Sequence, residues 1–319
     1  MMKKLPSLLA AVLIFAALVI YPSQALTAAA NGISLCGRLI IPTLFPFFVA
    51  TVLLSELGFA AYLGRLLSPV ASRLFGVSGV GASAFIVGLC GGYPLGAAYI
   101  ADMRRAGRLD CHEASALLPF CNNSGPAFII GGVGVGVFSS SAAGLLLYAV
   151  HIFSAVIGGI LLSDRAYASS EPHISLSSAD FGIALTSSVK KSVLSVLYVC
   201  GFVVSFSVFI DLLCTFGPFD ALSARVSSLL GVDMQWGRSF FTGIFEIGTA
   251  VGAMQGLALS PENLALAAFI LGWGGVSVHF QTFAMLDGTD IKTARYVIGR
   301  FLIAAIAAIT AFAAGIILY

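Results

Sequence analysis

Two short stretches, Gly88-Leu-Cys-Gly-Gly-Tyr-Pro-Leu-Gly96 and Pro119-Phe-Cys-Asn-Asn-Ser-Gly-Pro126, interrupt long apolar segments with glycine, proline and polar residues. The second half of the chain carries a corresponding pair, Gly243-Ile-Phe-Glu-Ile-Gly-Thr249 and Gly272-Trp-Gly-Gly-Val-Ser277. Such residues free backbone amides and carbonyls that lipid cannot satisfy, so they are tolerated at membrane depth only where they line a cavity or are buried in protein. Two matched pairs of breaks therefore predict a binding site between two related halves of a membrane protein.

The composition agrees with a membrane location. Of the 319 residues, 59% are hydrophobic and 9% are charged, and the mean hydropathy is +1.03. Soluble domains carry about 25% charged residues, so soluble enzymes, nucleic-acid binders, secreted disulfide scaffolds and disordered proteins are excluded. Unbroken apolar runs such as 301–318 are too long for the strands of a membrane barrel and long enough for membrane-spanning helices. The sequence predicts an all-α polytopic membrane protein whose partner is the lipid bilayer and not nucleic acid.

The N-terminal segment has two interpretations. Lys3 and Lys4 precede an apolar run from Leu5 to Tyr21, which small and polar residues follow. The pattern also describes a cleaved signal peptide, but we favour an uncleaved signal anchor covering residues 1–33. The two lysines stay in the cytoplasm, and the chain is expected to emerge outside near Asn31.

An internal repeat organises the rest of the chain. With an offset of 155, the segments 68–98 and 223–253 share eight identities in 31 positions, and the order of elements repeats as well. Each half has a long apolar segment, a short amphipathic stretch, two broken segments and a clean span. These are 38–57, 62–75, 80–100, 113–138 and 142–162, and then 189–214, 219–230, 237–257, 262–286 and 293–318. We assign residues 34–163 to the first repeat, 164–185 to a solvated cytoplasmic linker and 186–319 to the second repeat.

The basic residues favour re-entrant hairpins. If the first broken segment of each half is a hairpin and the second crosses, each half crosses three times and the second half is inverted. With the anchor, the chain then makes about seven crossings. Twelve of the 16 basic residues fall in the cytoplasm, as the positive-inside rule requires. They are Lys3, Lys4, Arg65, Arg73, Arg104, Arg105, Arg108, Arg165, Lys190, Lys191, Lys292 and Arg295. A full crossing by 80–100 would put the cluster 104–108 outside.

The breaks supply the candidate substrate-binding residues. Helix N-termini present free amides and about half a positive charge, which suits carboxylate or phosphate, and neutral side chains at the breaks add donors and acceptors. The candidates are Gly91, Gly92, Tyr93, Asn122, Asn123, Ser124, Gly248, Thr249, Trp273 and Ser277. We expect alanine variants of Asn122 and Asn123 to impair transport more than folding. The alternative for Asn122, Asn123 and Ser124 is helix capping and helix–helix hydrogen bonding.

Two titratable residues are candidates for coupling to a proton or cation. Glu246 lies at the tip of the second hairpin, and an ionisable residue inside a membrane is a functional hypothesis by default. The alternative is a buried carboxyl that is neutral or paired with Arg238. His279 follows the second break of that half, and His151, in a clean span, is as readily an interhelical hydrogen-bonding group. The sequence has no nucleophile–base pair, metal-ligand cluster or phosphate loop, which predicts no enzyme activity and no cofactor.

The motifs at 91–96 and 122–126 resemble those of the sporulation integral membrane protein YlbJ family, which carries a nucleoside-recognition gate domain. The resemblance extends over nearly the whole chain from Ile33 on. It implies a role in endospore formation, with transport of dipicolinate from the mother cell toward the forespore and a location in the mother-cell-derived outer forespore membrane. The element order also resembles concentrative nucleoside transporters, whose substrate motifs are not evident here. A nucleoside–cation symporter and a non-transporting scaffold for spore assembly remain alternatives.

Overall fold

The computed structural model describes residues 5–163, 180–215 and 217–319, and within them every regular element is a helix. In chain order the first are α1 (Leu5–Ile20), α2 (Pro22–Glu56), α3 (Phe59–Phe75), α4 (Gly79–Gly91), α5 (Leu95–Arg105), α6 (Cys111–Cys121), α7 (Ala127–Val135) and α8 (Ser141–Leu162). The second half follows with α9 (Phe181–Thr215), α10 (Pro218–Leu230), α11 (Met234–Phe245), α12 (Ile247–Ala253), α13 (Pro261–Trp273), α14 (Gly275–Met285) and α15 (Ala294–Leu318). A π-helical turn, Cys36–Ile40, lies within α2, and α7 is π-helical throughout.

The two halves repeat both the order and the packing of their helices. Helices α2 and α9 are each 35 residues long, and a shorter helix follows each. Helix α3 packs on α4 as α10 packs on α11, and α2 packs on α7 as α9 packs on α14. The halves meet through the equivalent pairs α2 with α9 and α8 with α15. The predicted all-α inverted repeat is therefore the fold of this chain.

Five helices or helix pairs of the described residues are long and apolar enough to cross a membrane: α2, α8, α9, α13 with α14, and α15. Helix α1 is apolar and shorter, at 16 residues. Helices α3 and α4 meet at 96°, which suits an interfacial helix followed by the first arm of a hairpin. The span count is consistent with the predicted number of crossings.

Two predicted boundaries fall inside helices. The boundary after residue 33 lies within α2, because the chain turns at Tyr21 and the helix begins again at Pro22, where a first-turn proline is well tolerated. The linker assigned to 164–185 ends within α9, which begins at Phe181. Its residues 164–179 lie outside the part of the chain that the structure describes.

Close backbone contacts hold the first hairpin against the next break. A side chain at Gly88 or Gly96 would overlap the carbonyl oxygen of Cys121. Gly92, between α4 and α5, has a φ of 83° and lies against the backbone of Gly125. Only glycine combines that left-handed conformation with so close an approach. The glycines of the two motifs therefore bring the hairpin tip and the neighbouring break together.

Three polar contacts involve basic residues that the positive-inside count assigns to the same side of the membrane. Arg104 pairs with Asp290 at 2.8 Å and Lys191 pairs with Glu56 at 2.6 Å. Arg295 donates to the carbonyl of Leu162. All these residues belong to the predicted cytoplasmic end, whereas the Arg238–Asp220 pair, at 3.0 Å, belongs to the other end. The first three contacts each join the two repeats, so the predicted cytoplasmic end is cross-linked across the repeat boundary.

Candidate functional site

A small cavity is lined by three of the four breaks and by α14, the helix that follows the fourth break. The four breaks lie between α4 and α5, α6 and α7, α11 and α12, and α13 and α14. The cavity has a volume of about 30 Å³ and is lined by both repeats. Its polar lining comes from Tyr93, Ser124, Glu246 and Gln281, and apolar residues of α2 and α9 complete it. A volume of this size accommodates a water molecule but not a metabolite, so the conformation is closed around its centre.

Arg300 of α15 lies beside this cavity, behind Tyr93. Its side chain is fully buried and donates to Tyr93 Oη, to Asn123 Oδ1 and to the carbonyl of Pro119, each at 3.3 Å. It also donates to the carbonyl of Gly272. Among the described residues no carboxylate forms a salt bridge with this guanidinium.

The partners of Arg300 explain how a buried cation is tolerated. Burial of a charge costs several kcal/mol even after relaxation. Pro119 is near the C-terminus of α6 and Gly272 is near that of α13, the equivalent helix of the second repeat. Helix C-termini each carry about half a negative charge, so the two together oppose about one unit of positive charge and stabilise the guanidinium.

Buried polar atoms without partners cluster around Arg300. In the described part of the chain, Ser124 Oγ, His151 Nδ1, His279 Nε2 and Arg300 Nε have no hydrogen-bond partner. The amide of Ser124 donates to His151 Nε2 at 3.0 Å, so the neutral ring carries its proton on Nδ1, a free donor. His279 Nδ1 lies 2.8 Å from the Gly275 carbonyl and donates to it, which leaves Nε2 as a free acceptor. Buried polar groups are nearly always satisfied, so this cluster has the character of a ligand or water site.

Asn122 does not line the cavity. Its Oδ1 accepts from the Ala97 amide at 3.3 Å, and its Nδ2 donates to Thr282 Oγ1 at 2.8 Å and Tyr296 Oη at 3.2 Å. The side chain is fully buried and joins the two repeats. Helix–helix hydrogen bonding, the alternative considered above, is therefore the observed role of this amide. The expectation that its alanine variant affects transport more than folding is revised accordingly.

Asn123 faces Arg300 and not the cavity. Its Nδ2 donates to the carbonyl of Phe120 at 2.6 Å, and its Oδ1 accepts from the guanidinium. Of the three consecutive polar residues, Ser124 alone lines the cavity. Asn123 therefore affects a molecule in the cavity only indirectly, because it contacts Arg300, which in turn contacts the cavity residue Tyr93.

Glu246 lines the cavity and caps α12. Its carboxylate accepts from the amides of Gly248 at 2.9 Å and Thr249 at 2.5 Å. Pairing with Arg238 was one alternative for this residue, and it is wrong, because Arg238 pairs with Asp220 at the molecular surface. Gly248 and Thr249 thus contribute backbone amides to Glu246, and the Thr249 hydroxyl lies 3.4 Å from Ser207.

Of the remaining candidate residues, one lines the cavity and the others pack against neighbouring helices or breaks. Tyr93 lines the cavity, and its hydroxyl donates to the carbonyl of Leu271. Trp273 does not line it. The Trp273 indole donates to Ile244 at 3.0 Å, and its ring lies 4.3 Å from that of His279. Ser277 is buried and accepts from Gln281 at 3.2 Å. Gly91 and Gly92 provide close backbone packing against the next break.

Sequence reasoning missed Arg300 and Tyr296 as central residues. An arginine seven residues into the last apolar helix, Ala294–Leu318, was the available signal, since intramembrane charges mark functional sites. Tyr296 gave no such signal, because its role depends on Asn122 and Thr282 from other helices. In the described residues no group of three or more His, Cys, Asp or Glu side chains is arranged to hold a metal ion.

The fold and the site define a polytopic membrane protein with an inverted repeat and a polar centre built from broken helices. Comparison with known proteins identifies the family to which the chain belongs. Residues 38–161 match the family model described as "Gate: Nucleoside recognition". The chain is 30% identical over 315 residues to the sporulation integral membrane protein YlbJ of Bacillus subtilis (strain 168), covering 90% of this chain and 76% of that protein. The chain belongs to the YlbJ family of sporulation integral membrane proteins. No solved structure matches it.

Proposed function

We propose that this protein transports a small anionic metabolite, dipicolinate, across the membrane by alternating access at the central cavity. The observation that carries the proposal is Arg300, a buried guanidinium whose partners in the described residues are all neutral. A buried cation with an unused donor is a site for an anion, because a charge-assisted hydrogen bond in a water-poor environment is strong.

The chemistry of dipicolinate suits the groups at this centre. It is a planar aromatic ring with two carboxylates, and arginine binds a carboxylate through two parallel hydrogen bonds. Ser124 Oγ and His151 Nδ1 are further donors without partners in the described structure. The Tyr93 ring already lies 5.6 Å from the guanidinium and would cover the aromatic ring. The closed cavity must widen to admit it, which alternating access between two repeats provides.

The same cavity contains Glu246, which would repel a dianion if it were ionised and alone. Two backbone amides already neutralise part of its charge. Entry of a proton or cation together with the substrate would neutralise the rest. We therefore propose that transport is coupled to a proton or cation at Glu246, with His279 as the second candidate group.

The biological setting follows from the family. The Bacillus subtilis relative is named for sporulation, and we propose that this protein acts in endospore formation, in the outer forespore membrane. Deletion of its gene is expected to lower the dipicolinate content of mature spores, measured by terbium luminescence after spore lysis.

Uptake of labelled dipicolinate into proteoliposomes tests the activity. Wild-type protein should show saturable uptake that empty liposomes lack. Ser124→Ala removes a cavity hydroxyl without leaving a partner unsatisfied, and uptake should fall about tenfold, as expected for one lost hydrogen bond to a charged group. The matched control is Ser192→Ala, which removes another buried hydroxyl without a partner, outside the cavity, and should transport normally.

Arg300→Lys provides the second arm of this test. The variant keeps the positive charge but loses the planar fork, so the Michaelis constant for dipicolinate should rise while the protein still reaches the membrane. Normal uptake by both Ser124→Ala and Arg300→Lys would contradict the proposal.

A nucleoside substrate is the second candidate, favoured by the description of the matching family model. If the substrate is a nucleoside, labelled uridine should be taken up, and unlabelled uridine but not dipicolinate should inhibit that uptake. Absence of saturable uptake of either compound by well-folded protein would favour a scaffolding role in spore assembly.

A further inference from the structure

A cleft lies on the extracytoplasmic side of the central cavity, between the two repeats. It has a volume of about 400 Å³, within the range of small-molecule sites, which is about 300–1,000 Å³. Its walls come from α2, α7 and α12, so both repeats contribute. Glycines form part of the walls: Gly132 and Gly136 of α7 face Gly252 of α12. A side chain at Gly252 would meet no atom within 4 Å, so this wall borders open space.

Three elements, α2, α7 and α12, line both the cleft and the cavity below it. On α2, Leu39 lines the cleft and Ile40 lines the cavity. On α7, Gly132 lines the cleft, and Phe128, about one helical turn away, lines the cavity. The cleft is therefore stacked on the central cavity. The barrier between them consists of side chains, such as that of Leu35, which lies close to Gly248.

Arg38 is the charged residue of this cleft. The other polar side chains in its lining are the neutral Asn31, Ser34 and Gln255, and no acidic residue lines it. Arg38 is exposed, and within the described part of the chain it has no hydrogen bond or ion pair. It lies on the π-helical turn Cys36–Ile40, a distortion that is frequent at functional sites. Arg104 and Arg105, at the opposite end, are both paired.

We propose that this cleft is a second, extracytoplasmic binding site for carboxylate anions, with Arg38 as the residue that binds them. A single uncompensated cation in a cleft with low-dielectric walls concentrates anions there. The guanidinium binds one carboxylate of the substrate before the barrier opens, or after it closes behind a released molecule. The inference rests on the proposed function for its substrate, but an anion site at Arg38 can be measured without transport.

Charge-selective labelling tests the site directly. In protein whose six cysteines are replaced, Gly252→Cys places a thiol in the cleft without a steric conflict. When each rate is divided by the rate of the same reagent with a small free thiol, anionic sulfonatoethyl methanethiosulfonate should react with this thiol about fivefold faster than the cationic trimethylammonioethyl reagent, because the two reagents experience opposite interactions with one nearby charge. Arg38→Gln should reduce the ratio of rates to near one, and Arg38→Lys should retain it. Arg225→Gln, at an exposed arginine of the same end outside the cleft, should leave it unchanged.

Dipicolinate protection forms the second part of the experiment. It should slow labelling by the anionic reagent in the Gly252→Cys protein and not in the Gly252→Cys, Arg38→Gln double variant. Equal normalised rates for the two reagents, or a preference for the anionic reagent that survives Arg38→Gln, would overturn the inference even if dipicolinate uptake is confirmed. A preference for the anionic reagent would support the anion site even if dipicolinate neither slows the labelling nor is taken up. That combination of results would reject dipicolinate as the substrate.

Discussion

At the scale of single residues, the adjacent amides Asn122 and Asn123 bind different parts of the molecule, and their alanine variants are expected to differ. Asn122→Ala leaves the buried Ala97 amide without its acceptor, at a cost of about 1–3 kcal/mol, and removes the hydrogen bonds that link the first repeat to Thr282 and Tyr296. Asn123→Ala removes one acceptor of Arg300 but leaves the three hydrogen bonds of Asn122 intact. Asn122→Ala should therefore lower the melting temperature more, and Asn123→Ala should lower transport more. Melting in detergent and uptake at equal protein abundance measure the two effects, and identical behaviour of both variants would contradict the assignment.

Glu246 is the residue at which capping and coupling can be separated. Glu246→Gln keeps the size of the side chain and resembles the protonated form, so substrate binding should persist while uptake no longer responds to a pH gradient. Glu246→Ala also removes the cap of α12 and should destabilise the protein by about 1 kcal/mol. Binding and uptake measured across pH, with Asp233→Ala as the cap-removal control at the start of α11, distinguish the two roles. A glutamine variant with full dependence on the pH gradient would show that Glu246 is a cap alone.

At the scale of helices, the break positions follow from the sequence, and the contacts between breaks do not. Gly92 ends α4 in a left-handed conformation, and Pro126 immediately precedes α7, at a helix start that tolerates proline, so local sequence is enough to place these breaks. The outcome for Asn122 depends on which side chains of α14 and α15 lie opposite it, which is a property of the packed halves. The cluster around Arg300 is of the same kind, since its four partners come from three separate segments. Sequence therefore predicts the place of the site better than the residues that face into it.

The cytoplasmic end gives a prediction about how these elements are held together. The hydrogen bond from Arg104 lowers the pKa of Asp290 to about 2, and nearby Cys111 donates to the Asp290 carbonyl at 3.1 Å. A carboxyl with a lowered pKa stabilises the folded state above its unfolded pKa of about 3.9 and loses that contribution as the pH falls through about 2. At neutral pH the pair is therefore intact, and Asp290→Asn should open this end and increase maleimide labelling of Cys111. The charge-reversed pair Arg104→Asp with Asp290→Arg should restore protection, and unchanged labelling in Asp290→Asn would show that the pair does not close this end.

At the scale of the whole molecule, the inverted repeat fixes which ends of the helices share a side of the membrane. Arg104 and Asp290 are paired although they come from different repeats, as are Lys191 and Glu56. A full crossing by the 80–100 segment would put Arg104 on the opposite side from the loop that carries Asp290. The pairs are therefore compatible with the hairpin topology. The same topology places Tyr319, at the far end of α15, on the extracytoplasmic side.

Labelling of single cysteines in intact cells tests this topology, in protein without the native cysteines. An impermeant maleimide should label Tyr319→Cys in intact cells, whereas Arg105→Cys should react only after the membrane is permeabilised. Tyr319 is more than half exposed, so lack of reaction there would have a topological cause and not a steric one. Arg105 also contacts the carbonyls of Met285 and Asp287, so Arg108→Cys, on the same loop, provides a second position. Labelling of either loop position from outside would mean that the first broken segment crosses the membrane, and the two halves would then no longer be inverted copies.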